Sequence, residues 1–192
     1  MIDFNFENQN VLKSGSILLS EPFSNDEHFA RSMVLICSKN DDGCFGFVLN
    51  KYIKNKPNEL IKDLPPINSK ISIGGPVDIS NLFYVHSFGK EVPESIHIES
   101  GLYVGGDLNM IKRKLIEQPN QTNEIRFFVG YSGWNPGQLE EEIKNKYWIV
   151  INNIKKEEIL NTNTNNIWSK NMEKLGGKFQ IMSKFPQNPS DN

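Results

Sequence analysis

A strand, a glycine-spaced corner and the start of a helix follow one another within residues 126–143, and this succession constrains the fold more than any other part of the chain. The segment reads Arg126-Phe-Phe-Val-Gly-Tyr-Ser-Gly-Trp-Asn-Pro-Gly-Gln-Leu-Glu-Glu-Glu-Ile143. Its three glycines, at positions 130, 133 and 137, allow positive φ angles or close backbone approaches that other residues would not. Corners between rigid elements often carry binding groups. The sequence therefore predicts a site at this corner.

Hairpins and helices alternate irregularly along the rest of the chain. Residues 33–50 are predicted to form a hairpin around the turn signal Asn40-Asp-Asp-Gly43. Asp107 is placed to cap a helix whose apolar positions Leu108, Ile111 and Leu115 follow helical spacing. The other predicted strands are 16–20, 70–73, 82–86, 95–98, 102–104, 124–131 and 147–151, and the other predicted helices are 58–64, 138–146 and 167–175. Because strands and helices do not alternate regularly, the pattern favours an α+β fold.

The chain is expected to hold one domain. Its 192 residues are enough for a single well-buried core, and no repeat or linker-like stretch divides them. We predict a flexible N-terminal segment over residues 1–13, one domain over residues 14–180 and a disordered tail over residues 181–192. The tail is predicted because apolar content fades beyond Phe179.

Charge and composition limit the classes of partner that the protein is expected to bind. The formal net charge is −2, so the molecule as a whole has no cationic field for a phosphate backbone. Nucleic-acid binding would need a local patch, and only Lys112-Arg113-Lys114 offers one. The N-terminus lacks a signal-peptide pattern and no apolar run reaches 18 residues, which predicts a cytoplasmic protein without a membrane partner. Two cysteines and three histidines lie without zinc-type spacing, so no metal and no cofactor is predicted.

Ser132 stands in a context similar to a G-x-S-x-G nucleophile elbow. The second glycine comes one residue early, and every histidine precedes Ser132, whereas the histidine follows the serine in that family. A corner serine that hydrogen-bonds to its own backbone is the simpler interpretation. No catalytic residue is therefore predicted.

The acidic run after the corner has two interpretations. Carboxylates in the first turn of a helix gain about 0.3–1 kcal/mol each from the helix dipole, which alone explains three consecutive glutamates. On the other hand, Gln138 and Glu142 share a helix face and can jointly face Tyr131 and Trp134. Arg31, at the head of an apolar strand, needs a carboxylate or a ligand if it turns inward, and Glu140 or Glu142 is the hypothesised partner.

Six ordered motifs closely resemble those of the AlgH/YqgE family of small bacterial proteins. They are Gly15-Ser-Ile-Leu-Leu, Arg31-Ser-Met-Val-Leu-Ile, Gly46-Phe-Val-Leu-Asn50, Gly74-Gly-Pro76, Gly101-Leu-Tyr103 and the corner over residues 130–143. The resemblance implies an α+β fold in which a bent, mostly antiparallel sheet is curled into a partial barrel with flanking helices, in a cytosolic bacterial protein. Members are largely uncharacterised, and some carry a label of transcriptional regulator without a recognisable DNA-binding module. Ser132 departs from the alanine expected at its position in most members.

These observations predict a non-enzymatic binding or regulatory protein that takes a small molecule or another protein. Its surface is expected where the corner, the glycine loop at residues 74–76 and the strand positions Arg31 and Asn50 converge. One alternative is a transcriptional regulator that contacts nucleic acid directly. Another is an enzyme of unknown type using Glu140 and Glu142, although carboxylates two residues apart on a helix point about 200° apart. The predicted binding residues are Arg31, Asn50, Gly74, Gly75, Pro76, Tyr131, Gly133, Trp134, Gln138 and Glu142.

Overall fold

The computed structural model describes residues 6–186, and the strands of this part form one open sheet. The strands are β1 (Ile17–Ser20), β2 (Met33–Asn40), β3 (Gly43–Val48), β4 (Ile71–Ile73), β5 (Val77–His86), β6 (Ile96–Ile98), β7 (Leu102–Val104), β8 (Ile125–Trp134) and β9 (Trp148–Ile151). The helices are α1 (Pro57–Leu60), α2 (Leu108–Glu117), α3 (Gln138–Lys144), α4 (Lys156–Leu160), α5 (Ile167–Lys174) and α6 (Gly177–Met182).

The strand order is β6-β7-β5-β8-β3-β2-β1-β9, and β4 pairs with β8 beside this path. The β4–β8 pair is parallel, whereas the other strand pairs are antiparallel. The predicted α+β fold with a mostly antiparallel, partly curled sheet is confirmed. Strand β8, which carries the corner, pairs with β3, β4 and β5. The corner is therefore anchored at the middle of the sheet.

Alternating strand residues pack on opposite faces of the sheet, as the period of two requires. On β2, Met33 and Leu35 belong to an inner cluster that α4, α5 and α6 cover. Val34 and Ile36 belong to an outer cluster that includes Leu139 of α3 and the two tryptophans Trp134 and Trp148. A third cluster packs α2 against β4 and the start of β8. The corner therefore sits on the outer face.

Most predicted elements are present, and the capped helix is confirmed in detail. The Asp107 carboxylate accepts hydrogen bonds from the backbone N–H groups of Asn109 (2.8 Å) and Met110 (3.2 Å) at the start of α2. The predicted end of the corner strand at residue 131 is wrong, because β8 continues to Trp134 through pairing with β3. Helices α4 and α6 were not predicted, since five or six residues are too few to show helical periodicity.

Parts of both predicted flexible ends lie outside the described residues, namely 1–5 and 187–192. In the described part of the predicted N-terminal segment, Phe6 is buried. The Asn8 side chain donates to the Trp148 carbonyl of β9 (2.9 Å) and accepts the Val150 N–H of the same strand (2.7 Å). Met182, near the other end, is also buried. The predicted boundaries of the flexible segments stay predictions.

Arg126 is a fully buried cation on β8 that sequence reasoning did not single out. Its guanidinium donates to the carbonyls of Leu49, Ile159 and Asn161 and to the hydroxyl of Ser72. Among the described residues no ion pair involves it, and burial lowers its pKa. Its charge is instead solvated by carbonyls, including the Ile159 carbonyl at the C-terminal end of α4, where cations are favoured. Arg126 thus joins the sheet to α4.

His86 on β5 is fully buried, and both of its ring nitrogens have hydrogen-bond partners. Its Nε2 lies 3.0 Å from the Gly105 carbonyl, which can only accept, so Nε2 carries the proton. Its Nδ1 accepts the Phe88 backbone N–H at 3.3 Å. Burial lowers the pKa of this ring. Protonation at Nδ1 would remove the bond from Phe88.

We expect the stability of the protein to fall as the pH drops below about 6.5, where a histidine in the unfolded chain takes up a proton. The contribution of His86 is complete above that pH and is lost toward its lowered folded-state pKa, at a rate of at most about 1.4 kcal/mol per pH unit. Urea unfolding between pH 7.5 and 5.5 measures this. The His86→Gln variant should show a flatter dependence, and the exposed control His28→Gln should not. Equal slopes in all three proteins would contradict the assignment.

Candidate functional site

The carboxylate of Glu142 is the centre of the corner. Gly137, with φ at 76°, turns the chain at the start of α3, so that Gln138 and Glu142 face back toward β8. Glu142 Oε2 accepts the indole N–H of Trp134 (2.9 Å) and of Trp148 (2.8 Å). Its Oε1 accepts the Gln138 Nε2 at 2.9 Å. The predicted shared face of Gln138 and Glu142 is confirmed for Trp134, and Trp148 is an additional partner.

The three consecutive glutamates have different surroundings. Glu140 pairs with Lys39 at 2.8 Å, and this hydrogen bond lowers the pKa of the Glu140 carboxyl. Glu141 lies 3.7 Å from Lys144 on the same helix. Among the described residues, no ion pair involves Glu142, whose partners are neutral N–H donors. Glu142 therefore keeps an uncompensated negative charge at the corner.

Aromatic rings fix the surroundings of this carboxylate. Phe29 stacks on Trp134 with ring centroids 6.1 Å apart and meets Trp148 edge to face at 5.3 Å. The two indoles also meet edge to face at 6.1 Å. Such aromatic pairs contribute about 0.5–1.5 kcal/mol each beyond the area that they bury. The indole donors are thus held in place before any ligand arrives.

Beside this cluster lies a groove of about 530 Å³, which we call the Glu142 groove. One wall consists of α3 and the start of β9, and the other is the loop between β1 and β2. The lining residues are Ser20, Glu21, Phe23, Ser24, Asn25, Asp26, Phe29, Gln138, Glu142, Tyr147 and Trp148. Its size falls within the range of small-molecule sites. Phe29 and Tyr147 were not among the predicted site residues, because nothing local to either residue indicates contact with the corner.

A second groove, of about 490 Å³, has Trp134 in its lining, whereas the Glu142 groove does not. Tyr131, Gly133 and Trp134 line it together with Val77 and Cys44. The predicted site residues of the corner are therefore divided between two grooves. Cys37 and Cys44 are free thiols, and burial raises the pKa of each.

The glycine loop packs tightly against β8. Gly74 and Gly75 are buried, whereas Pro76 is exposed. The Gly74 N–H donates to the Val129 carbonyl at 2.8 Å, and the Gly74 carbonyl accepts the Ser132 hydroxyl at 2.9 Å. The Ser132 hydroxyl does bond to backbone, but the predicted bond to its own backbone is wrong, because the acceptor is the Gly74 carbonyl, far away in sequence. These contacts account for the two glycines structurally, and a binding role for residues 74–76 stays a prediction.

Arg31 faces away from the corner, and its predicted pairing with Glu140 or Glu142 is wrong. Its guanidinium donates to the Phe185 carbonyl and lies 5.3 Å from the ring of Trp168, which belongs to the inner cluster. The physical reason is that Met33, the first residue of β2, lies on the inner face. Arg31 precedes it by two residues, and its side chain lies on the same face.

Asn50 fixes the backbone of this turn. Its side chain accepts the Met33 N–H (2.9 Å) and donates to the carbonyl of Arg31 (2.7 Å), which has a φ of 50°. The structure does not bring Asn50 or Arg31 into hydrogen-bonding contact with Glu142. Their predicted role in binding stays a prediction.

The basic cluster on α2 is partly used within the protein. Lys114 pairs with Glu91 and lies 5.9 Å from the ring of Phe88, while Arg113 is exposed. The structure therefore adds no support to the nucleic-acid alternative.

Within residues 6–186, no group of three or more His, Cys, Asp and Glu side chains is arranged to hold a metal ion. No helix in this part of the chain is long and apolar enough to cross a membrane.

Comparison with known proteins matches almost the whole chain. A sequence model described as AlgH-like matches residues 17–180. A UPF0301 protein of Bacteroides thetaiotaomicron is 39% identical over 194 residues, which cover 98% of this chain and 96% of the relative. A UPF0301 protein of Cytophaga hutchinsonii is 35% identical over 183 residues, which cover 95% and 100%.

Two solved structures share the fold. The crystal structure of protein DIP2367 from Corynebacterium diphtheriae superposes with a TM-score of 0.77 at 24% identity and covers 94% of this chain and 95% of that one. The solution structure of the AlgH protein from Pseudomonas aeruginosa superposes with a TM-score of 0.69 at 20% identity and covers 94% and 99%. At these identities the likeness concerns the fold, and function has to be argued from the site.

Proposed function

The chain belongs to the AlgH-like family, and on that premise we propose that it is a non-enzymatic binding protein, with a regulatory role, whose site is the Glu142 groove. The names of its relatives specify no activity. The proposal therefore depends on the chemistry of the corner.

The observation that carries the proposal is the triple hydrogen bonding of the Glu142 carboxylate. A carboxylate can accept about four hydrogen bonds, and two indoles and one amide take three of them. The side chain is thereby fixed at the wall of an open groove while retaining acceptor capacity and its charge. A group that is already ordered binds without a further loss of side-chain entropy, which favours affinity.

We expect ligands of this groove to shift the indole N–H resonances of Trp134 and Trp148 in ¹H–¹⁵N spectra. The third tryptophan, Trp168, is an internal control, because its indole N–H donates to the Ser20 carbonyl from the inner cluster. A library of small molecules and short peptides is screened against the ¹⁵N-labelled protein. Binders that shift the first two resonances and spare the third support the proposal. A screen in which every binder leaves both unchanged would contradict it.

A further inference from the structure

We propose that the Glu142 groove takes an organic cation, namely an alkylammonium group that belongs either to a free amine or to a lysine side chain of a partner. This inference rests on the proposed binding function and specifies the chemistry of its ligand. It is carried by two features of the groove, the aromatic residues of its lining and the charge of its lining.

Four aromatic side chains line the groove: Phe23, Phe29, Tyr147 and Trp148. Trp148 is 3% exposed and lies at the base, while Tyr147 is 57% exposed and lies at the rim. A cation within about 6 Å of such a ring gains about 0.5–2 kcal/mol, and tryptophan gives the strongest interaction. Phe29 and Trp148 pack against each other and against Trp134, and Phe23 packs against Phe185. Tyr147, the most exposed of the four, is therefore the ring on which we expect an ammonium group to stack.

The charged side chains of the lining all have the same sign. Glu21, Asp26 and Glu142 are present, and the lining contains no lysine, arginine or histidine. Lys51 interacts electrostatically with Asp26, but its ammonium donates to the Glu27 carbonyl and is not part of the lining. An anionic ligand would therefore be repelled, whereas a cation would be attracted to the Glu142 carboxylate, which no ion pair among the described residues compensates.

The arrangement suits an ammonium group better than a metal ion. Within the described part of the chain, the carboxylates are not gathered in a group that could hold a metal. Glu142 Oε2 already accepts two indole donors, and Oε1 accepts one amide donor, so one acceptor site remains, on Oε1. One remaining site suits a single N–H donor, whereas Ca²⁺ or Mg²⁺ requires several oxygen ligands. An alkylammonium group supplies N–H donors for Glu142 and apolar carbons for the rings.

The test is a titration of the ¹⁵N-labelled protein with three probes of equal length: n-butylammonium, n-butanol and butyrate. We expect n-butylammonium to shift the Trp134 and Trp148 indole resonances saturably, while butyrate leaves them unchanged and n-butanol binds at least about tenfold more weakly, which corresponds to about 1.4 kcal/mol. Spermidine and Nα-acetyl-lysine methylamide then distinguish the two sources of the ammonium group. Tighter binding of spermidine indicates a free amine, and tighter binding of the lysine derivative indicates a protein partner.

Variants of Glu142 and Tyr147 test whether n-butylammonium binds in the Glu142 groove. Glu142→Gln should weaken n-butylammonium binding at least about tenfold. Glu141→Gln should not, because Glu141 lies about 100° around the helix from Glu142 and outside the lining of the groove. Tyr147→Leu, at an exposed position where folding is not at risk, should weaken it as well.

If butyrate or butanol binds the groove as well as the cation does, the ligand class is wrong and the binding site stands. If the cation shifts neither indole, the ligand class is also wrong, and the library screen then decides the fate of the site. If the Glu142→Gln and Tyr147→Leu proteins bind n-butylammonium as the wild type does, the assignment of the cation to this groove is overturned.

Discussion

Replacement of Arg126 by alanine is expected to lower the free energy of unfolding by at least about 3 kcal/mol, since it creates a cavity and removes the donors of several buried acceptors. The guanidinium donates to the carbonyl of Ile159 on α4, to the carbonyl of Leu49 and to the hydroxyl of Ser72. Without Arg126 the Leu49 carbonyl keeps the Ser72 hydroxyl as a donor, whereas the Ile159 carbonyl loses its side-chain donor. Each buried acceptor left without a donor costs about 1–3 kcal/mol. Urea unfolding followed by circular dichroism measures the loss.

Two further substitutions at position 126 separate the stability lost with side-chain volume from the stability lost with hydrogen-bond donors. Arg126→Met fills most of the space and supplies no donor, so it should recover the cavity contribution only. Arg126→Lys keeps the charge but has fewer donors, and should lie between wild type and alanine. The exposed Arg113→Ala on α2 is the matched control, with an expected change within about 0.5 kcal/mol. An Arg126→Met protein as stable as wild type would show that the buried acceptors do not depend on Arg126.

Arg126 also shows where sequence reasoning stops. The strand that carries it was predicted from its apolar run, and the hairpin over residues 33–50 and the Asp107 cap were predicted from local turn and capping chemistry. Those signals reside within a few neighbouring residues. The solvation of the Arg126 cation depends on Leu49 and Ile159, which lie far away in sequence, so no local pattern indicates it.

In the candidate site, too, contacts within a short segment were predicted from the sequence, whereas contacts between distant segments were not. Helical periodicity predicted that Gln138 and Glu142 share a face toward Trp134, because all three lie within one short segment. The same reasoning failed for Arg31, whose side chain follows the inner face of the sheet. Phe29 is contributed to the aromatic cluster by a loop distant in sequence, and only the folded chain shows it. The corner could thus be found from the sequence, whereas the groove beside it could not.

Gly75→Ala is expected to destabilise the protein by about 3–5 kcal/mol, from the sum of backbone strain and overpacking. Gly75 has a φ of 154°, and a Cβ there would lie 2.4 Å from the Ser132 Oγ and 2.4 Å from the Tyr131 carbonyl carbon. The clash involves backbone of β8 in the middle of the sheet, which cannot shift without disturbing its pairing. Thermal and urea unfolding measure the expected loss.

Gly137→Ala is the matched control, because Gly137 also has a positive φ (76°) but a Cβ there would meet nothing within 4 Å. Only conformational strain remains, at about 1–2 kcal/mol. The difference between the two variants therefore isolates the close approach of the glycine loop to β8. A Gly75→Ala protein that is no less stable than Gly137→Ala would contradict the packing role. If that protein also failed to bind in the groove titrations, Gly75 would return as a binding residue, as the sequence had predicted.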